Sequence, residues 1–424
     1  MLDGKILISS VWTAWSGSSV WDNVDGFHTL GINEIVLSNR LFKGDFFMKK
    51  IRMGIIGCGA MAESHGNGYS EVADLMEVTA VCDVILERAR KAAENTGAKV
   101  VVTDYREMVE HVDAVLISLP HDLHFDAGMF FLNAGKHVLM EKPLCNTEEE
   151  CLALIETSEK VQRVLMTAYP VRYWPIVVKM KELVDAKVYG DVFQMSIWTE
   201  QFTKYSEDHW GLFAKSLGGG QFFSHGCHYI DLLLWFLGRP IKGVHLGNHL
   251  GTPWMEGEGT SNAIMAFENN VLAYHFGTWG ARGTRLGWSL HIHCTEGMLE
   301  YNRTEGKLYL HTGMQPELAT LDTSSKTEIL MSEDNDSKKT QFETRHFLEC
   351  IINGTKPLTD APSSLQGLRA IWRMYEAERN NTVADLRGLG LDEDWKAAVK
   401  NGTVGDGVRT NWKNGKGSGK EPVH

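Results

Sequence analysis

The chain has 424 residues, 43% hydrophobic and 23% charged, with a formal charge of −12. That is length enough for two domains with separate cores, and the composition is that of an ordinary globular protein rather than a disordered or fibrous one. The negative balance and the lack of any basic run argue against nucleic acid as a partner, and no apolar stretch approaches the roughly 20 uncharged residues a membrane helix needs. Seven cysteines are scattered without a CxxC pair. This pattern fits reduced thiols and a cytoplasmic protein, with packing roles for Cys82, Cys145 and Cys151.

Residues 1–47 fit poorly with the rest of the chain. ILISSVWTAWSGSSVW is apolar after a single lysine, yet it has neither the sustained apolar core nor the small-x-small cleavage site of an export signal. At LFKGDFFMKKIRMGIIG the chain restarts with Met48-Lys49-Lys50 directly before a strong strand. Lys43-Gly44-Asp45 can be encoded by purine-rich nucleotides suited to ribosome binding. We therefore expect residues 1–47 to be translated upstream sequence and the natural product to begin at Met48. A protein starting at Met48 that failed to fold would refute this.

IRMGIIGCGAMAESH then places Gly57-x-Gly59-x-x-Ala62 between an apolar run and a helical stretch. Gly57 permits the tight turn, Gly59 lets a pyrophosphate approach the backbone, and Ala62 lets helix and strand pack closely. EVTAVCD ends a second strand at Asp83, whose carboxylate suits a ribose 2′-hydroxyl and repels a 2′-phosphate, favouring NAD over NADP. Capping of the ERARKAAENTG helix is the alternative role for that aspartate. A third strand is expected at DAVLISLP, then a helix through HFDAGMFFLNAGK, then the strand HVLMEKPL. This alternation implies a doubly wound parallel sheet. Its ligand-binding strand ends would carry Ser118, Pro120, His121, Glu141 and Lys142.

GIIGCGAMA, DAVLISLPHDLHFDAGMFFLNAGKHVLMEKPL and GGGQFFSHGCHYIDLLLWFLG, in that order, resemble the Gfo/Idh/MocA family of sugar and cyclitol oxidoreductases. The likeness runs from about Ile51 to Leu386. It implies a Rossmann domain, then an α/β domain whose open, mainly antiparallel sheet often mediates homo-oligomerisation, and hydride transfer between a carbohydrate carbon and NAD or NADP. The expected boundaries are 48–170 for the first domain, 171–386 for the second and 387–424 for a polar tail. VFQMSIWTE, AIMAFENNVLAYHFGTW and WSLHIHCTEGMLEYN independently read as strands, with ENN as a hairpin turn. TRHFLECIINGTKP and SSLQGLRAIWRMYEAERN read as helices returning toward the first domain, and DEDWKAAVKNG as a short helix in the tail.

By the same resemblance, Lys142 lies near the nicotinamide and the reacting hydroxyl, and His228 is the base or proton relay. An unperturbed imidazole titrates near pH 6.5, which suits that task. Asp231 lies three residues on, and Arg172 of AYPVRYWP holds a position that commonly faces the site. Ser224 departs from the pattern, since many members carry an aspartate there, and His225 replaces a usual apolar residue. His225 with His228, and His291 with His293, have spacings compatible with a divalent metal, but no third and fourth ligands are specified, so metal is not favoured. A Cys227–His228 nucleophile pair is disfavoured because neighbours on a helix do not face one another.

Of the 13 tryptophans, Trp174, Trp198, Trp210, Trp279 and Trp288 fall near the expected site, where sugar faces can stack, although core packing explains most such residues. The loop TEQFTKYSEDHWGLFAKSLGGG offers Glu200, Lys204, Tyr205, Asp208 and His209 to sugar hydroxyls. The expected function is an NAD-dependent dehydrogenase of a sugar or glycoside, with C3 of a glucoside-type ring preferred within the family. Two alternatives are a redox-neutral glycosidase acting through a transient keto-sugar, and a non-catalytic sugar sensor.

Overall fold

The computed structural model describes residues 49–313, 326–334 and 338–390. The expectations for residues 1–47 and for a helix at DEDWKAAVKNG lie outside these.

The first half alternates strand and helix: β1 (Ile51–Ile56), α1 (Ala60–Gly66), β2 (Met76–Cys82), α2 (Leu86–Thr96), β3 (Val100–Val102), β4 (Ala114–Ile117), α3 (His124–Asn133), β5 (His137–Met140), α4 (Glu148–Lys160) and β6 (Leu165–Thr167). The strands form a six-stranded sheet in the order β3-β2-β1-β4-β5-β6, and every pair is parallel. Near-continuous apolar runs such as Ala114–Ile117, fully buried, are what a sheet covered on both faces requires. The chain reverses its direction of travel between β1 and β4, so the crevice for a ligand opens at their C-terminal ends. Two strands of this sheet, β3 and the three-residue β6, were missed in the sequence. β3 is only Val100–Val102, too short to show alternation, and DAVLISLP supplies the fourth strand rather than the third.

The second half runs α5 (Pro175–Asp185), β7 (Val192–Glu200), α6 (Ala214–Leu217), α7 (Gln221–Ser224), α8 (Cys227–Leu237), β8 (Pro240–Asn248), β9 (Thr260–Phe267), β10 (Leu272–Thr278), β11 (Trp288–Cys294), β12 (Gly297–Asn302), β13 (Lys307–Thr312), β14 (Lys326–Ser332), α9 (Gln341–Asn353), α10 (Ala361–Arg379) and β15 (Ala384–Asp385). Its nine-stranded sheet has the order β14-β13-β12-β11-β7-β10-β9-β8-β15. Among the described strands only β7 and β10 pair in parallel there. Met195, Ile197, Ala263, Met265 and Phe267 point into the core, where α7, α8 and α10 cover them. The opposite face carries Trp198, Tyr274, Phe276 and the exposed Ile264 and Leu272.

The C-terminal helices bond to elements of the first half. Thr340 Oγ1 donates to Ser64 O at 3.2 Å, Arg345 pairs with Asp74 at 2.9 Å, and Thr167 N donates to Thr359 O at 2.9 Å. The start of the expected tail is tied down as well, since Arg369, fully buried, donates to Leu389 O at 3.0 Å.

Candidate active site

The glycine loop sits in the crevice between β1 and β4. Gly57 has φ +82, and a Cβ there would lie 2.2 Å from Ser118 O, so both the backbone and its neighbour demand glycine. A Cβ on Gly59 would meet nothing within 4 Å, which is the open approach a pyrophosphate uses, and Ala62 is buried against the sheet. At the end of β2, Asp83 Oδ2 accepts from Cys58 N (2.9 Å) and Oδ1 from Ile85 N (2.8 Å). Val84 beside it is 86% exposed, an apolar surface suited to an adenine face. These residues fit a bound dinucleotide.

At the end of β5 the chain turns through Glu141, Lys142 and a cis Lys142–Pro143 bond. The buried Glu141 accepts from His65 Nε2 (2.9 Å) and from Lys142 N (3.1 Å). Burial alone would raise its pKa, but the His65 hydrogen bond and the charges of His65, Lys142 and Lys338 bring it down to about 2. The buried ring of His124 lies against the same turn, Nδ1 2.9 Å from Pro143 O and Nε2 3.0 Å from Leu119 O, and as a neutral ring it donates to one of the two. So held, Lys142 crosses to the second half and donates from Nζ to Ser224 O at 3.0 Å. This lysine meets a backbone carbonyl, at the position where the sequence has serine instead of the expected aspartate.

Opposite Lys142 lie α7 and α8. Glu258 Oε1 accepts from Phe222 N (3.0 Å) and from the Tyr375 hydroxyl (2.6 Å), fixing the start of α7. On α8, His228 packs edge-on against Tyr169, ring centroids 5.5 Å apart, and its buried Nδ1 has no hydrogen-bond partner. Burial, then the positive fields of Lys142, His225 and Lys338, push its pKa well below the ordinary value. A neutral imidazole at physiological pH is a competent proton acceptor.

His225 behaves differently. Trp288 Nε1 donates to the Tyr229 hydroxyl at 2.9 Å, and an indole can only donate. The same hydroxyl lies 3.1 Å from His225 Nε2. Gln221 Nε2, which can only donate, faces Nδ1 at 3.4 Å, so the neutral ring carries its proton on Nε2 and donates it to the Tyr229 oxygen. Both nitrogens are occupied within the protein, so the expected substrate or metal contact through His225 gives way to a structural role.

Five other expected site residues are also bonded within the protein. The Arg172 guanidinium grips Asp231 through two bonds of 2.7 and 2.6 Å, both residues are buried, and Arg172 also reaches Leu358 O at 3.2 Å. Neither charge is free for substrate. His121, buried, spends Nδ1 on Leu217 O (2.9 Å) and so joins the two halves. The Glu141 carboxylate faces His65 rather than a cofactor. The Trp174 indole, also buried, donates to Lys338 O (2.9 Å). Trp210 is half-buried, with its ring 4.8 Å from His121. Ser118 and Pro120 line the end of β4, partly exposed.

Among the described residues no three His, Cys, Asp or Glu side chains form a metal-ligand group. His291 Nε2 bonds Ser289 Oγ (2.7 Å) instead.

Several residues of the site were missed in the sequence: His65, His124, Tyr169, Lys338 and Glu343. A histidine on the buried side of the short helix after a glycine loop was a usable signal for His65. Glu343 comes from α9, is fully buried, and has neither oxygen hydrogen-bonded, with its Oε1 3.9 Å from His65 Nε2. Burial, and then the Glu141 charge, raise its pKa well above the ordinary range.

Residues 51–169 match the family model described as oxidoreductase family, NAD-binding Rossmann fold, and residues 177–300 match the GFO/IDH/MocA C-terminal domain. The two matches together cover more than half of the chain. The chain belongs to the Gfo/Idh/MocA oxidoreductase family. Among curated members it is similar to D-glucoside 3-dehydrogenase of Escherichia coli, 31% identical over 210 residues, which is 48% of this chain and 59% of that protein. Inositol 2-dehydrogenase/D-chiro-inositol 3-dehydrogenase of Lactiplantibacillus plantarum is 30% identical over 148 residues, 34% of this chain and 42% of that one. The chain thus spans about two fifths to three fifths of the length of these two relatives (42% and 59%). A levoglucosan dehydrogenase in complex with NADH and levoglucosan shares the fold at a TM-score of 0.71, 19% identical, over 80% of this chain and 100% of that one.

Proposed function

We propose that this protein is an NAD-dependent dehydrogenase that oxidises a secondary hydroxyl of a sugar or glycoside. The observation that carries this reading is the meeting of Lys142 Nζ, from the turn after β5, with the α7–α8 turn at Ser224 O (3.0 Å), one helical turn before His228. When bound, NAD supplies the hydride acceptor. Gly57, Gly59, Ala62 and Asp83 would hold it, and the carboxylate of Asp83 with the apolar Val84 favours NAD over NADP. Lys142 donates a hydrogen bond to the reacting oxygen and stabilises its developing negative charge, and neutral His228 takes the hydroxyl proton. Substrate class is supported by the glucoside and inositol dehydrogenases among its relatives. C3 of a glucoside is the carbon we favour, with Trp210 for stacking. The bare face of the second sheet, with Trp198, Tyr274, Phe276, Ile264 and Leu272, would be covered by self-association. Reduced, buried cysteines suit a cytoplasmic setting, and no described helix is long and apolar enough to cross a membrane.

The test is incubation with a panel of glycosides and cyclitols, following NADH absorbance and products by mass spectrometry. A keto-product formed with one NADH per turnover is expected. Aglycone release without net NADH would replace this reading with redox-neutral glycoside cleavage. Binding without turnover, unchanged in Lys142→Ala, would replace it with a sensor.

A further inference from the structure

Around the glycine loop the carboxylates are only partly balanced: Lys91 pairs with Glu63 at 2.6 Å, and Lys142 is committed to Ser224 O. The loop itself has no lysine or arginine, and the carboxylates of Asp83, bonded to Cys58 N, and Glu141, bonded to His65, lie beside it. A dinucleotide pyrophosphate brings two more negative charges to this place. Lys338, which precedes α9, is a cation brought to it from the second half. Its backbone is pinned, with its carbonyl accepting from Trp174 Nε1 (2.9 Å) and Thr340 two residues on donating to Ser64 O (3.2 Å). This sets Lys338 Nζ against Met61 Sδ, 2.8 Å away, on the first turn of α1. A thioether is a weak acceptor for a group with three protons to donate. Among the described residues no carboxylate lies within ion-pair distance of this ammonium. Partial burial, with the charges of Lys142 and Arg303, outweighs Glu141 and lowers its pKa. A bound anion would relieve that strain on the charge.

We propose that Lys338 is a dinucleotide-binding residue, supplied across the domain junction, whose ammonium neutralises the pyrophosphate over the glycine loop. The proposal rests on the cofactor reading above and assigns the loop a charge that its own sequence lacks. Closure of the nucleotide site then depends on the segment that anchors α9, so the second half takes part in holding cofactor as well as substrate.

The test is equilibrium binding of NADH and of ADP-ribose, which keeps the pyrophosphate but lacks nicotinamide, to wild type, Lys338→Met and Lys338→Arg. Adenosine, which has no phosphate, serves as control. Lys338→Met should weaken NADH and ADP-ribose alike by about 10- to 100-fold, the scale of a hydrogen bond to a charged group. Adenosine should bind unchanged, and Lys338→Arg should restore most of the affinity. The difference between wild type and Lys338→Met should shrink as salt is added. Equal ADP-ribose affinity in wild type and Lys338→Met overturns the proposal. So does a loss confined to the KM of carboxylate-bearing sugars, which would make the anion the substrate's. A wild type that binds no NADH overturns the cofactor reading together with it, whereas NADH binding without glycoside turnover leaves Lys338 fully testable.

Discussion

Two pairs of charged or titratable groups link the same two stretches of chain and behave in opposite ways. Arg172 and Asp231 close on each other through two bonds, buried and spent. Lys142 and His228, close by, stay unspent. Lys142 holds only a carbonyl, and His228 leaves a buried nitrogen without a partner. Asp231 and His228 stand three residues apart on one helix, and Lys142 and Arg172 each follow a strand of the first sheet. The difference is hydrogen-bond satisfaction. A satisfied buried pair holds elements in place, whereas an unsatisfied group, costly to bury, is retained where a ligand completes it.

Mutation of the open pair should cost chemistry and leave the fold. Lys142→Met and His228→Ala are each expected to lower kcat by about 10²–10⁴ with little change in melting temperature. A comparable loss in stability instead would erase the distinction. Mutation of the closed pair should do the reverse. Asp231→Ala should destabilise by roughly 3–5 kcal/mol, because it strands a buried guanidinium, and chemical denaturation would read this. The double variant Arg172→Leu/Asp231→Leu should recover much of that loss. Full activity per folded molecule in the double variant would confirm that neither residue touches substrate.

Glu343 tests whether an unsatisfied group always serves a ligand. Its raised pKa means that its stability contribution is present below the ordinary carboxyl range and is lost as pH rises toward the folded value. Glu343→Gln should therefore stabilise the protein, by roughly 1–3 kcal/mol and most in alkali. A neutral or destabilising result would show that its ionised form is needed.

Exchanging the charge at the nucleotide edge has a smaller expected effect. Asp83→Ser should weaken NAD binding by about tenfold and narrow its preference over NADP, each hydrogen bond to a charged group being worth about 1.5–3 kcal/mol. An unchanged cofactor ratio would return Asp83 to a purely structural role.

The smallest effect is a pH trend. Burial lowers the pKa of His121, His225 and His228 well below 6.5, and of His275 to about 3. Below 6.5 the unfolded chain binds protons that the folded one refuses. Stability is thus complete above that pH and falls as pH drops toward the folded values. The melting temperature should decline between pH 7 and pH 5, less so in His275→Gln. A flat profile would contradict burial of these rings in neutral form.

Local pattern made most of the architecture readable. The Gly57–Gly59–Ala62 spacing, the strand pairs around Glu268–Asn270 and the helices at 341–353 and 361–379 each follow from neighbours in sequence, because turn geometry and hydrophobic period are local properties. β3 escaped because three valines carry no period. At the site, sequence picked out Lys142 and His228 through a resemblance of ordered motifs, and it grouped Arg172, Asp231 and His225 with them because all carry groups of the right kind.

Which of those groups is free is a property of hydrogen bonds to distant partners: Asp231 lies 59 residues from Arg172, and Trp288 lies 59 from the Tyr229 hydroxyl that it engages. Residue types and spacing pointed by themselves to a nucleotide crevice, and the resemblance of ordered motifs singled out Lys142 and His228 beside it. Only the tertiary structure decided that His225 is a spent ring, that Glu343 and Lys338 arrive from the far end of the chain, and that Lys142 rests on a carbonyl. Burial and pairing are set by what packs alongside, and no local stretch of sequence records that.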